Sequence, residues 1–346
     1  MQTISTFGKD VHLLLSQHFK KTIKHESAVL EDKDPEAIHD MRVGMRRLRT
    51  ALQVFEPAIV FPEAGGVEPM RRMARVLGAV RDADVLKTDL ETHYYPQLQG
   101  KEQKRLREVL RYLQQQRQEG FGRLQAAFKG SEYRKLKRAV QNWLENPVYK
   151  PLAALSAQAI VPDLLLPLTS EVLLHPGWLI GMVSGNENGK ADGLDEEHLV
   201  SHLQEQEEVL HDLRKRMKGM RYQMEFFVDW PGLEGDDRIK GLLSQFKQVQ
   251  EVLGQLQDLA VLKHFLQEAL QAPLADKLPT LGDQLRQRQI QLWQAWQPLQ
   301  QQFLDANYRA ELRSHLLLPT ALPSEPASET VDDQADVLLE STSGSS

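Results

Sequence analysis

The sequence predicts an all-α protein built from one helical unit used twice. Three observations carry this. Leu, Gln, Arg, Glu and Ala, all good helix formers, dominate the body of the chain. Apolar residues recur at three- and four-residue steps, and no convincing alternating strand interrupts them. Two stretches, HDMRVGMRRLRTALQVF at 39–55 and HDLRKRMKGMRYQMEFF at 211–227, align without a gap.

The helices are punctuated by Pro and Gly at a few joints. These are Pro57 to Pro69, Asn146 to Pro151, Pro176-Gly177, Gly185 to Gly193 and Pro231 to Gly235. The first repeated helix starts at Asp34-Pro35, with Asp as cap and Pro in the first turn. From there Ile38, Met41, Met45, Leu48, Leu52 and Phe55 form the packing seam of a bundle helix. His39, Arg42, Arg46 and Arg49 sit at i, i+3, i+7 and i+10. At 100° per residue they span roughly 80° of the helix circumference. Their stripe flanks the seam, the position from which charges line a groove between helices.

The second copy repeats both patterns. Leu210, Leu213, Met217, Met220, Met224 and Phe227 make its seam; His211, Arg214, Lys218 and Arg221 make its stripe. A second match lies downstream: LGAVRDADVL at 77–86 aligns with LGQLQDLAVL at 253–262. Its glycine, Gly78 or Gly254, should let two helices approach closely. Its aspartate, Asp82 or Asp258, should hold a neighbouring basic side chain. Arg71 aligns with Lys247, the one basic position of that helix kept in both copies. An internal duplication makes a pseudo-two-fold arrangement the natural expectation. The seams should pack into separate bundles, with Phe55 and Phe227 buried and both stripes facing a shared cavity. The organisation read from this is a first repeat over about 1–150, a second over about 160–318, a loop at 183–195 and a disordered acidic tail at 319–346.

Composition bounds the chemistry. The 346-residue chain has no cysteine, which excludes disulfides, thiolate metal sites and a cysteine nucleophile and fits a cytoplasmic protein. No signal peptide and no membrane span is expected. The net charge of −6 hides an asymmetry: residues 1–150 hold 27 Lys and Arg against 19 Asp and Glu, and the remainder holds 15 against 29. The tail carries acids and no Lys or Arg, so it lowers the total without describing the folded surface.

A basic helix face is ordinarily just solvated. Solvation, however, needs no particular charge at particular positions. Here His, Arg, Arg or Lys, and Arg persist at four matched positions while neighbours drift: Val43 becomes Lys215, Gly44 becomes Arg216 and Arg47 becomes Gly219. That pattern favours a functional role for the stripe over mere solvation.

The two long motifs together with LGAVRDADVL resemble the signatures of the CHAD domain, the conserved histidine α-helical domain, over roughly residues 4–318. The resemblance implies two four-helix bundles related by a pseudo-two-fold axis, with basic residues of both halves lining a central channel or groove. It implies binding of inorganic polyphosphate without catalysis, no cofactor, and possible association with polyphosphate granules. Carried over by motif, the binding residues are His39, Arg42, Arg46, Arg49, His211, Arg214, Lys218 and Arg221, with Arg71 and Lys247 on the looser helix motif. The physical chemistry of the ligand agrees. Polyphosphate is a flexible line of repeating anionic oxygens, so its binder needs many donors along a track. Arg provides planar forks with permanent charge, Lys a point charge, and His a ring donor.

Other functions are weaker fits. A phosphate-chain-processing enzyme would need grouped carboxylates for Mg²⁺, which the stripes lack, and no ExExK motif occurs. Nucleic-acid binding would favour aromatics interleaved with the cations, and only Tyr222 is adjacent. A metal site at His198 and His202 has helical spacing but no third ligand, so the pair reads as solvated. A helical scaffold docking an acidic protein through the stripe is the remaining alternative.

Overall fold

The computed structural model describes residues 6–182, 196–228, 230 and 237–317. The predicted loop at 183–195, the joint from Pro231 to Gly235 and the acidic tail lie outside the described residues. The fold is all-α. The helices are α1 (Phe7–Ile23), α2 (Glu26–Glu31), α3 (Pro35–Val54), α4 (Val67–Asp89), α5 (Gly100–Lys129), α6 (Ser131–Glu145) and α7 (Ala157–Leu173). They continue with α8 (Glu196–Glu205), α9 (Glu207–Glu225), α10 (Asp237–Leu270), α11 (Leu274–Lys277), α12 (Pro279–Leu304) and α13 (Ala306–Leu316). No strand occurs among the described residues; an isolated bridge joins Ile59 and Tyr149.

Local chemistry sets the start of the first basic helix as the sequence requires. The Asp34 carboxylate accepts the Glu36 amide at 2.9 Å, and Pro35 occupies the first turn, where its missing N–H costs nothing. All six seam residues of α3 and its following turn are buried, as are all six on α9. Each basic helix packs on the long helix after it, α3 on α4 and α9 on α10.

The core is not divided as expected. Phe55 and Phe227 are both fully buried, but they meet each other, ring centroids 6.1 Å apart and edge to face. Trp230 packs on both, at 5.6 and 5.2 Å, and on Phe7 at 5.3 Å. One apolar core therefore runs through both halves. A second core, rich in leucine, joins α4 and α5 to α10, α11 and α12. The two seams, expected to pack into separate bundles, share the first core: the aromatic ends of the two seams are mutually complementary, and burying them together removes more apolar surface from water.

One segment, Ala157–Leu179, is long and apolar enough to cross a membrane by length and composition. It contains Pro162 and Pro167, and Ile160, Val161, Leu165, Val172 and Leu173 are buried in the shared core, where α7 packs on α9 and α13. Core packing accounts for its composition.

Polar clamps hold the first half. Arg117 on α5 donates to both oxygens of Asp32 at 2.5 and 2.6 Å and to Asp84 on α4 at 2.8 Å. Lys137 on α6 reaches Glu26 at 2.8 Å, and the same carboxylate accepts from the Tyr133 hydroxyl at 3.0 Å.

Candidate functional site

The two stripes meet where α3 crosses α9, and the joint is Tyr222. The Arg46 guanidinium of α3 lies over the Tyr222 ring, 4.2 Å from its centroid. Arg221 lies 4.8 Å from the same centroid and the Lys218 ammonium 5.9 Å. Tyr222 is buried, so its π-cloud is a fixed negative surface on which cations of both copies gather.

The cations disturb one another, which shows how near they stand. Burial holds the Arg46 guanidinium below its ordinary pKa, and Arg42 and Arg221 add to the effect; Tyr222 and Glu225 oppose it. It remains charged nonetheless. The Lys218 ammonium is pushed down to about 8, first by burial and then by Arg46, Arg214 and Arg42. Arg42 and Arg46 come from one stripe, Arg214 and Lys218 from the other. The Arg46 Nε is buried without a hydrogen-bond partner.

The paired glycine and aspartate do specific work here. Arg42 reaches Asp82 at 3.4 Å, and at the matched position Arg214 reaches Asp258 at 3.7 Å. A Cβ on Gly78 would meet the Arg42 Nε at 3.3 Å, and one on Gly254 would meet the Arg214 Nε at 3.8 Å. Gly78 thus leaves room for a guanidinium crossing to the aspartate, whereas a Cβ on Gly254 would meet its arginine at ordinary contact distance.

Further along, Arg221 donates to Gln250 at 2.7 Å and to Glu225 at 2.7 Å, and Gln250 is itself fixed by donating to the Met217 carbonyl at 2.7 Å. Glu225 also faces Arg47 across the helix crossing at 3.8 Å. Arg214, Lys218, Arg221, Tyr222 and Lys247 line a recess of about 270 Å³. Lys247 is paired with Glu251 at 3.8 Å.

The remaining candidates lie away from this centre. Arg49, its Nε buried and unpartnered, is held below its ordinary pKa by burial and then by Arg71. Arg71 is itself paired with Glu68 at 2.6 Å. His39 is half-buried and makes no hydrogen bond or ion pair with another described residue. His211 sits one turn beyond Arg214, in a small cleft with Leu253, Gln257 and Gln289; its Nδ1 is buried without a partner. Among the described residues no group of three His, Cys, Asp or Glu could hold a metal. His198 and His202 instead line a mostly apolar recess with Leu179, Ile180 and Val209.

The low Lys218 pKa has a measurable consequence. Its ordinary value is 10.5, so the unfolded chain binds this proton more tightly than the folded one. Stability from this group is fully present above about pH 10.5 and is lost as pH falls to about 8. Denaturant unfolding should therefore show stability rising from pH 8 to 10, by at most about 1.4 kcal/mol per pH unit. The Lys218→Met variant should lack that slope. An unchanged slope in the variant would mean that Lys218 is not desolvated.

An all-α fold whose buried aromatic joint gathers cations from two helices defines a helical module with a basic patch at its centre. The family model for the CHAD domain matches residues 13–267, and the chain belongs to the CHAD domain family. It is similar in fold to the crystal structure of the CHAD domain from the plant Ricinus communis, with a TM-score of 0.57 and 24% identity over 93% of this chain and 95% of that one. It is also similar in fold to PptA from Streptomyces chartreusis, with a TM-score of 0.62 and 16% identity over 86% of this chain and 100% of that one. Two uncharacterized proteins from strains of Mycobacterium tuberculosis are 25% identical over 271 residues. The match covers 77% of this chain but 46% of those relatives, so the chain spans about half their length.

Sequence reasoning missed the role of Tyr222. It was visible as the aromatic beside the second stripe, but its partner Arg46 is 176 positions away in the chain. Gln250, 29 positions from Arg221, and Glu225, which also faces Arg47 across the crossing, were missed as well. The i, i+4 spacing of Arg221 and Glu225 was the available signal for one of these contacts.

Proposed function

We infer that the protein binds inorganic polyphosphate along the basic groove between α3 and α9, without catalysis. The observation that carries this reading is the convergence of Arg42, Arg46, Arg214 and Lys218 on one half-buried patch, where burial first and then neighbouring cations loosen the hold of Arg46 and Lys218 on their protons. Such mutual repulsion is relieved by a polyanion. A chain of phosphates offers a negative group for each cation in turn, and the planar guanidinium groups can grip its oxygens two at a time. The groove, the His39 and His211 rings beyond it, and the Arg49, Arg71 and Lys247 positions at its other end would form one track. On this reading the track belongs to two bundles related by a pseudo-two-fold axis, an internal duplication spanning about 1–318, and acts in the cytoplasm. The matched pairs Arg42–Asp82 and Arg214–Asp258 support that symmetry.

Docking of an acidic protein is the second reading. Glu225, Glu251 and Glu68 already neutralise part of the stripe, as a protein-docking face often does. A titration with long-chain polyphosphate, with DNA and orthophosphate as competitors, separates the two. Polyphosphate should bind and neither competitor should displace it at equal phosphate concentration. Log affinity should fall linearly with log salt. Neutralisation of about six phosphates gives a slope on the order of −4, by analogy with single-stranded nucleic acid. Affinity unchanged between 50 and 200 mM salt, taken as about a fourfold step, would argue against phosphate neutralisation.

A further inference from the structure

Outside the groove, a cavity of about 470 Å³ is walled by α8, α10, α11 and α12, with Glu207 at the start of α9 on its rim. Its volume lies within the range of roughly 300–1,000 Å³ usual for small-molecule sites. Leu256, Leu259, Ala260 and Leu274 supply an apolar wall, and Lys263 and Arg286 bring cations to it. None of these residues belongs to the duplicated stripe.

The charges are unequally matched. The Lys263 ammonium donates to the Gln289 side-chain carbonyl, and Glu207 offsets its charge. Arg286 makes no hydrogen bond or ion pair with another described residue, and its Nε is buried without a partner. Asp283, the other acid on the wall, is exposed to solvent. Burying an N–H of a permanently charged group without an acceptor is unfavourable, and the Arg286 side chain that lines the cavity has no anionic partner among the described residues to offset its charge.

We propose that this cavity binds a small organic monoanion, a carboxylate carried on an apolar body, with the carboxylate on Arg286 and the body against Leu256, Leu259 and Leu274. One uncompensated guanidinium calls for one negative charge. The apolar wall suits a hydrocarbon body better than a phosphate chain, and none of the lining residues belongs to the basic stripes, so the site does not rest on the polyphosphate reading.

Octanoate is the probe, titrated calorimetrically into the full chain, with 1-octanol and orthophosphate as comparisons. Octanoate should bind one to one, at least about tenfold more tightly than either comparison. Arg286→Leu should weaken it at least about tenfold. Ala260→Leu keeps every charge but narrows the apolar end of the cavity, and should weaken octanoate at least about tenfold while leaving the circular-dichroism signal unchanged. If the Arg286 variant does not fold, the Ala260 variant decides alone. Failure of the wild-type chain to bind octanoate, equal binding of octanol, or octanoate affinity unchanged by Ala260→Leu overturns the proposal.

Discussion

Changing Arg46 and Lys218 together to glutamate is expected to lower the affinity for long-chain polyphosphate by about 10²- to 10⁴-fold while leaving the helical fold intact. Hydrogen bonds to charged groups contribute about 1.5–3 kcal/mol each. Losing two therefore corresponds to about 3–6 kcal/mol, and the introduced repulsion adds to the loss. The fold should survive because these cations are a local electrostatic cost. Both are desolvated and both stand among like charges, Arg46 beside Arg42 and Arg221, Lys218 beside Arg46, Arg214 and Arg42. A carboxylate at either position would relieve repulsion in the ligand-free protein. Neither side chain is part of the apolar seam, so no core cavity opens. Exposed Arg123 on α5 and Arg134 on α6 are the control pair. Equal weakening by both double reversals would assign binding to general surface charge. Loss of helical signal in the Arg46/Lys218 variant would make the stripe a structural ion network.

Arg117 would be a poor control, although nothing in the duplicated motifs marks it out. It is expected to be the most stabilising single charge in the first half. Asp32 closes α2 in the left-handed region, at φ 52°, and Arg117 grips both its carboxylate oxygens. The same guanidinium reaches Asp84 on α4. All three side chains are largely buried, at 15%, 21% and 17% exposure. These two carboxylates hold the guanidinium more firmly protonated than usual, the Asp32 hydrogen bonds contributing most. Arg117→Leu leaves two buried carboxylates without a cation, a change that costs about 3–5 kcal/mol. The melting temperature should drop on the order of 10 °C. Adding Asp32→Asn and Asp84→Asn to Arg117→Leu should recover part of the loss, because it removes the stranded charges. A single variant melting within a degree of the wild type would show that water already satisfies those carboxylates.

Much of the fold was legible in the sequence because its determinants are local. Asp34 caps α3 and Pro35 starts it through contacts within three residues. The seams on α3 and α9 are buried where the three-and-four spacing placed them, since helical periodicity alone fixes which side chains share a face. The aspartates of the second motif hold the arginines at the matched positions, Arg42 to Asp82 and Arg214 to Asp258, as the repeated pattern suggested. What the sequence by itself determined was therefore the helices, their apolar faces, the two basic stripes and the family. Only the tertiary structure decided how the stripes meet. The crossing of α3 on α9 sets Arg46 over Tyr222 and joins Phe55 to Phe227 in one core. The same packing leaves His211 in a cleft of its own and ties Arg117 to two acids far away in sequence. Periodicity specifies a face but not its partner. The partner is chosen by which buried surfaces fit together across more than a hundred residues of intervening chain, and that choice is made by packing and desolvation summed over the whole core.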